Sequence, residues 1–268
     1  MGSLRLYWKF LGVFLKSKME YRFAFYSEIF INFFSYVVTY AGIWIILNKF
    51  QVINGWELWD IMLLYNLNLF SYGLGSLFFF VPLQELESMV HNGSFDGILI
   101  RPMNPLLHLL ASRQRYVGFL GHIILGTIIF ILCFARLEIE WSFVKVLYLL
   151  SVLVGASFIH IAIILFTCSI SLWLVQSMAI RDIIIYDTRR FMDYPISIYG
   201  TVIQVILTFI IPYAFINFYP AQYFLGGKGG TLFHPILQYL TPAVGLFLFT
   251  LAYKFWQVGI NHYESTGS

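Results

Sequence analysis

Long apolar runs separated by short polar segments dominate the sequence. A bilayer core about 30 Å thick is crossed by roughly 20 apolar residues in a helix, so each uncharged run of that length predicts a membrane span. Six such runs occur, and the fourth is long enough to tilt or to extend beyond the lipid. The predicted spans are Glu28–Leu47, Ile61–Val81, Tyr116–Ala135, Val146–Val175, Ile196–Ile216 and Leu232–Trp256. Residues 1–268 are therefore predicted to form a single, all-α integral membrane domain.

The composition supports this interpretation. Hydrophobic residues make up 60% of the chain and charged residues 11%. A soluble domain carries about 25% charged residues because its surface faces water, so a soluble globular protein is excluded. The two cysteines, Cys133 and Cys168, lie inside apolar runs without a CxxC or Cys/His pattern, and we interpret them as small buried hydrophobes.

The placement of basic residues predicts the orientation. Lys and Arg in short loops favour the cytoplasmic side of a membrane. With the N-terminus inside, the inner segments hold twelve of the sixteen basic residues, among them Arg181, Arg189 and Arg190, and the outer loops hold four. Both termini are therefore expected in the cytoplasm, with the protein in the plasma or inner membrane.

A helix is predicted before the first span, at residues 4–19. Arg5, Lys9 and Lys16 fall on one side of a helical wheel, and aromatic and aliphatic residues occupy the other. This amphipathic pattern predicts a helix lying flat at the membrane interface. It either anchors the chain or transmits motion into the first span.

The stretch at residues 211–230 predicts broken helices in the outer leaflet. Pro212 and Pro220 interrupt an apolar run, and proline kinks or ends a helix. Glycines supply a turn before the last span. The run Gly226–Thr231 contains a lysine but lacks the GxxxxGK[ST] order of a phosphate-binding loop, so ATP hydrolysis by this chain is not expected.

Polar residues inside the predicted spans offer little catalytic chemistry. HExxH is missing, and Ser76 is not part of a GxSxG elbow, which argues against an intramembrane enzyme. Interhelical hydrogen bonds are the expected role of His122, His160 and Asn66, against a role in substrate passage. Acidic residues are essentially missing at mid-depth from spans two to six, which argues against a transporter driven by an ion gradient.

The polar segment at residues 82–115, between spans two and three, is the most informative. Leu83–Val90 has a helical pattern that ends at His91-Asn92-Gly93, and prolines stiffen the chain before a second helix. The segment is either an ordinary loop or a rigid projecting element. The second interpretation is favoured by apolar residues on it that would want a partner surface: Phe95, Ile98, Leu99, Ile100 and Met103.

Three stretches carry a family resemblance. The sequences GSFD at residues 93–96 and RPMNPL at residues 101–106 resemble the cytoplasmic signature of ABC-2 type transporter permeases. The RRF sequence at residues 189–191, continuing to YPISIY and the broken stretch, is similar to that family as well, as is the YESTGS ending. The matching branch is often encoded beside a sister permease and an ATPase.

This resemblance implies an export permease with six spans that forms half of a translocation pathway. A second permease, identical or homologous, would complete the pathway. A cytoplasmic ATPase subunit would bind ATP and Mg, so no cofactor is expected in this chain. A coupling helix would seat in that ATPase, and which residues face the cargo is left open. The resemblance places coupling on Glu85, Glu87, Gly93, Phe95, Asp96, Arg101, Pro102 and Pro105.

Overall fold

A computed structural model describes residues 3–174, 177–230 and 232–265. These residues form helices joined by turns, with no strand among them, which confirms the predicted all-α membrane fold. The predicted end of span four at Val175, Thr231 of the glycine run and the last three residues of the YESTGS ending lie outside the described residues. The α-helices are α1 (Ser3–Glu20), α2 (Arg22–Phe50), α3 (Leu58–Gln84), α4 (Leu86–His91), α5 (Asp96–Leu99), α6 (Pro105–Arg113), α7 (Phe119–Arg136), α8 (Phe143–Ser169), α9 (Met178–Asp182), α10 (Thr201–Val205), α11 (Phe218–Phe224) and α12 (Thr241–His262).

Among the described residues, five helices are long and apolar enough to cross a membrane: α2, α3, α7, α8 and α12. They match the predicted spans one, two, three, four and six. Helix α3 is central, since 78% of its apolar window is buried, whereas only 11% of the window of α2 is buried. Helix α2 is therefore a peripheral helix that leaves most of its surface to lipid or to another chain.

The fifth predicted span is not a single helix. After α10 the chain forms a π-helical turn at Ile206–Ile210, breaks at Pro212 and bends by 78° into the stretch that ends at Phe224. The chain on either side of this bend lies near the α2–α3 connection: the side chain of Asn54 donates to the Ser197 carbonyl at 3.1 Å, and the ring of Phe218 packs on Trp56. We call this bent stretch the re-entrant hairpin, and the placement of residues 211–230 in the outer leaflet stays a prediction.

Residues 177–199, rather than the predicted span at 196–216, cross from one end of the helix bundle to the other. We call the end that carries Trp56 the Trp56 end and the opposite one, which carries Glu87, the Glu87 end. Ser177 binds Glu87 at one end and Ser197 binds Asn54 at the other, so this segment runs the full length of α3. We call residues 177–199 the fifth passage. With it, the described part of the chain passes six times between the ends.

Irregular helical turns build the fifth passage. A π-helical turn at Ile183–Asp187 and a 3₁₀ turn at Thr188–Asp193 follow α9. Such turns are often found at functional sites. Arg189 and Arg190 lie on this passage rather than in an inner loop, which corrects the count of basic residues at the Glu87 end from twelve to ten. Ten basic residues at the Glu87 end against four at the Trp56 end still favour the Glu87 end as the cytoplasmic one.

Helices α8 and α12 approach each other through glycine. A Cβ built on Gly245 would lie 2.1 Å from the carbonyl oxygen of Gly155, and one built on Gly155 would lie 2.6 Å from Cα of Pro242. Small residues at such crossings let two membrane helices pack backbone to backbone. The two helices are therefore held in one fixed arrangement.

The N-terminal helix α1 is present as predicted, and its place at the membrane interface stays a prediction. Trp8 and Val13 are 63% and 66% exposed, so an apolar face is open. Lys18 forms an ion pair with Glu28, which also accepts a hydrogen bond from the Val117 backbone at 3.1 Å. Glu28 therefore joins α1, α2 and the start of α7.

Candidate functional site

The predicted coupling segment is a compact helix–turn–helix at the Glu87 end. Helix α4 ends at a turn where Gly93 adopts φ +70°, a conformation that glycine takes without strain. Asn104 accepts a hydrogen bond from the Leu107 backbone at 3.2 Å, and Pro105 occupies the first turn of α6. The helices, turn and proline expected from the sequence are thus all present.

An aromatic contact fixes the middle of the segment to the last long helix. Phe95 is fully buried, and its ring lies edge to face with Trp256 at 6.0 Å and with Tyr263 at 5.2 Å between centroids. Ile98 is also buried. The expectation that these two residues seek an external partner is therefore wrong, because their partners belong to the same chain.

Buried polar contacts hold the segment from two further directions. The carboxylate of Glu87 accepts hydrogen bonds from the backbone and the hydroxyl of Ser177 at 3.1 and 2.9 Å. Asp96 accepts one from the Ser265 hydroxyl at 2.6 Å. Burial, and then the neighbouring Asp96, raise the pKa of Tyr263. The segment is thereby tied to the start of the fifth passage and to the end of α12.

Glu85 joins the beginning of the segment to its end. Its carboxylate lies 3.7 Å from Arg113 and 3.6 Å from Arg115. These ion pairs are partly exposed, so each contributes little by itself. Together they close the segment into a loop whose two ends cannot separate freely.

One face of the segment remains open. Ile100 is 83% exposed, and Arg101 and Pro102 beside it are exposed as well. His91, Asn92, Ser94 and Gly97 extend this surface. The eight predicted coupling residues thus have four different roles. Glu87, Phe95 and Asp96 are inward anchors, Glu85 braces the two ends of the segment, and Gly93 and Pro105 shape its turns. Only Arg101 and Pro102 belong to the exposed tip.

A second constellation, which the sequence did not reveal, lies at mid-depth. The guanidinium of Arg189 stacks on the ring of Tyr72 at 3.6 Å, within the range of a cation–π interaction. Its Nε is buried and has no hydrogen-bond partner among the described residues. The RRF sequence was the only available signal, and it had been assigned to an inner loop.

Two cavities adjoin Arg189. A polar one of about 170 Å³ is lined by Arg189, Asp193 and Thr39, and an aromatic one of about 300 Å³ is lined by Tyr72, Phe80 and Phe119. Tyr36 and Tyr186 line both cavities, so the two adjoin along α2. We call this combined space the Arg189 cleft.

Asp193 corrects one argument from the sequence. Acidic residues had been expected to be essentially missing at mid-depth, yet Asp193 lies on the fifth passage and lines the cleft beside Arg189. The argument against an ion-gradient transporter that rested on this absence is therefore wrong.

Other polar residues in the long helices behave in different ways. Asn66 bridges three helices, since it accepts from the Tyr40 hydroxyl at 2.8 Å and donates to the Gly126 carbonyl at 2.9 Å. The interhelical role predicted for it is confirmed. Neither ring nitrogen of His122 has an interhelical hydrogen bond within the described part of the chain, and its ring packs on Tyr36 at 4.3 Å. The hydrogen bond predicted for His122 is thus wrong.

The glycine turn at the Trp56 end carries a lysine with a structural partner. The ammonium of Lys228 lies 2.6 Å from Asp60 and 3.4 Å from Glu57, at the start of α3. Burial lowers the pKa of Lys228, but the hydrogen bond and charge of Asp60, with those of Glu57, outweigh it and leave the pKa raised. The turn is therefore fastened to the central helix.

Comparison with known proteins gives one family. The family described as ABC-2 family transporter protein matches residues 25–267. The comparison with curated proteins gave no match, and neither did the comparison with solved structures.

Proposed function

Since this chain belongs to the ABC-2 transporter family, it is a multi-pass membrane permease of ABC-type transport, and we propose that it forms half of the pathway of an exporter. In this proposal a separate cytoplasmic ATPase subunit binds ATP and Mg and drives the cycle. A second permease, identical or homologous, supplies the other half. The chain itself carries out no hydrolysis.

The coupling segment is the observation that carries the proposal. A surface that receives motion from a partner must be exposed, and the element behind it must not deform. The tip at Ile100 and Arg101 meets the first requirement. The buried anchors Phe95 and Glu87 meet the second, because they leave the segment no independent movement.

Through the two anchors, a displacement of the tip would act on two other elements of the chain. Phe95 rests on Trp256, so displacement of the tip acts on α12. Glu87 holds Ser177, so the same displacement acts on the first residue of the fifth passage. Motion at the tip thereby reaches the two elements on either side of the re-entrant hairpin.

The placement of the termini supports the orientation. Helix α1 packs against α6, and Ser265 contacts Asp96, so both ends of the described chain lie at the Glu87 end with the coupling segment. This is also the end with more basic residues. We assign it to the cytoplasm, where an ATPase subunit would reach the tip.

Under this proposal an ATPase and a sister permease are expected to be encoded in neighbouring genes, and co-expression with their products tests it. We expect the three chains to co-purify and the reconstituted complex to transport only with ATP. The variants Ile100→Asp and Arg101→Glu should weaken ATPase binding, whereas Val52→Asp, at an exposed position of the Trp56 end, should not. Equal binding by all variants would refute the assignment of the tip.

An ion-gradient transporter is the second candidate, and Asp193 is the observation that favours it. The two are separated by energising vesicles that hold the purified chain alone. Transport that is driven by a proton gradient and abolished by Asp193→Asn would support this candidate against the first.

A further inference from the structure

We propose that the Arg189 cleft binds the anionic group of an amphipathic cargo, with a phosphate or carboxylate at Arg189 and an apolar body in the aromatic cavity. The inference rests on the proposed function, since it names the class of molecule that the permease would carry. It concerns binding alone and can be tested without an ATPase.

The first step is the charge. Arg189 lies beside Tyr72, at the middle of α3, where a charged side chain is expensive and usually marks a substrate pathway. None of the ion pairs among the described residues includes Arg189. Arg189 has a side-chain hydrogen bond with Tyr36, but its buried Nε has no partner among the described residues and is left for a ligand. The guanidinium fork matches the geometry of a phosphate or carboxylate.

The second step is the shape of the cleft. The polar cavity that holds Arg189 is small, at about 170 Å³, and its neighbour is larger, at about 300 Å³, and mostly aromatic. Tyr36 and Tyr186 lie between the two cavities, and each of them lines both. A molecule that fills both cavities has a compact polar head and an apolar body. Neither inorganic phosphate nor a neutral hydrocarbon has both.

The third step is access. The cleft is closed on one side by Tyr36 and Thr39 of α2, the long helix that is least buried in the bundle. A ligand that partitions into the bilayer can therefore reach the cleft past α2 without displacing the core.

Asp193 sets the strength of binding. Asp193 lines the same polar cavity as Arg189, so its charge acts on the same ligand group. Like charges in one site disfavour each other, so Asp193 lowers the affinity for an anion and assists its release. Asp193→Asn should raise the affinity, in the opposite direction to Arg189→Gln.

The test uses thiol protection in nanodiscs of zwitterionic lipid. Thr39→Cys places a reporter in the cleft, and both native cysteines are buried. Dodecyl phosphate should slow maleimide labelling of this cysteine, and Arg189→Gln should raise the half-protecting concentration about tenfold or more, as expected for lost charge-assisted hydrogen bonds. Arg189→Lys should retain part of the protection. Arg136→Gln, which removes an exposed arginine elsewhere, is the matched control.

The other outcomes overturn the proposal. Equal protection by neutral dodecyl maltoside would show that charge is not recognised. Protection by inorganic phosphate alone would identify a free-anion site. Unchanged retention of radiolabelled dodecyl phosphate by folded Arg189→Gln would assign Arg189 a bracing role on Tyr72. Because the assay contains no ATPase, failure of the coupling proposal leaves its result unaffected.

Discussion

The rings of Phe95 and Trp256 meet edge to face, with centroids 6.0 Å apart, and this contact joins the coupling segment to α12. Phe95 is fully buried within its own chain, so in the proposed complex it would act through α12 rather than by contact with the ATPase. A defect at Phe95 should therefore separate ATPase binding from transport, which a defect at the exposed tip should not do.

Phe95→Ala is predicted to uncouple transport from ATP hydrolysis. Loss of a fully buried phenylalanine costs about 3–5 kcal/mol. At this position the loss weakens the packing of the coupling segment on α12. ATPase binding in a pull-down should stay near the wild-type level while transport falls. Phe50→Ala removes a ring that is 64% exposed and serves as the control. If Phe95→Ala abolishes ATPase binding in a folded protein, the inward role of Phe95 is wrong.

Glu87→Gln is predicted to loosen the start of the fifth passage. The buried carboxylate accepts two hydrogen bonds from Ser177, and charged hydrogen bonds contribute about 1.5–3 kcal/mol. Hydrogen exchange in residues 177–187 should accelerate.

Glu85→Gln is the matched control for this change. Its ion pairs are partly exposed and should contribute about 1 kcal/mol or less. Equal acceleration of exchange in the two variants would contradict the specific tie between Glu87 and Ser177.

Gly245→Ala is predicted to separate α8 from α12. The added Cβ would lie 2.1 Å from the Gly155 carbonyl oxygen, so the helices must move apart at a cost of at least about 1–3 kcal/mol. A lower thermal unfolding midpoint in detergent would report this. Gly42→Ala, where nothing lies within 4 Å of the added atom, should keep or raise the midpoint. A drop of the same size at Gly42 would remove the steric explanation.

The ion pair of Lys228 that holds the glycine turn on α3 is predicted to be lost at high pH. A lysine whose pKa is raised in the folded state contributes stability that is complete below its ordinary value of 10.5 and is lost as the pH rises through the folded value. The side chain of Trp56 lies against Gly229, so its fluorescence should change in that range. Lys228→Met should show the change already at neutral pH, and Lys49→Met, an exposed lysine at the same end, should not.

Hydropathy predicted the five long helices because each is a continuous apolar run, and proline and glycine predicted the breaks at Pro212 and Gly93. The fifth passage was misplaced for the same reason. Its charged residues, including Arg189 and Asp193, lower the hydropathy of a segment that crosses beside α3, while the more apolar re-entrant hairpin resembles a span.

The coupling segment and the Arg189 cleft could likewise be predicted only in part. Local rules fixed the turns and caps of the coupling segment, since these depend on neighbours in the sequence. The direction of Phe95 and the stacking of Arg189 on Tyr72 depend on contacts between distant residues, which a single sequence does not reveal.

The thin attachment of α2 has a consequence for how molecules enter. With only 11% of its apolar window buried, α2 would lose chiefly its contacts with α7 and α3 on moving outward, while the core around α3 stays intact. If the Arg189 cleft binds cargo as proposed, the cargo would enter from the leaflet sideways, through a gap between helices rather than down a central pore.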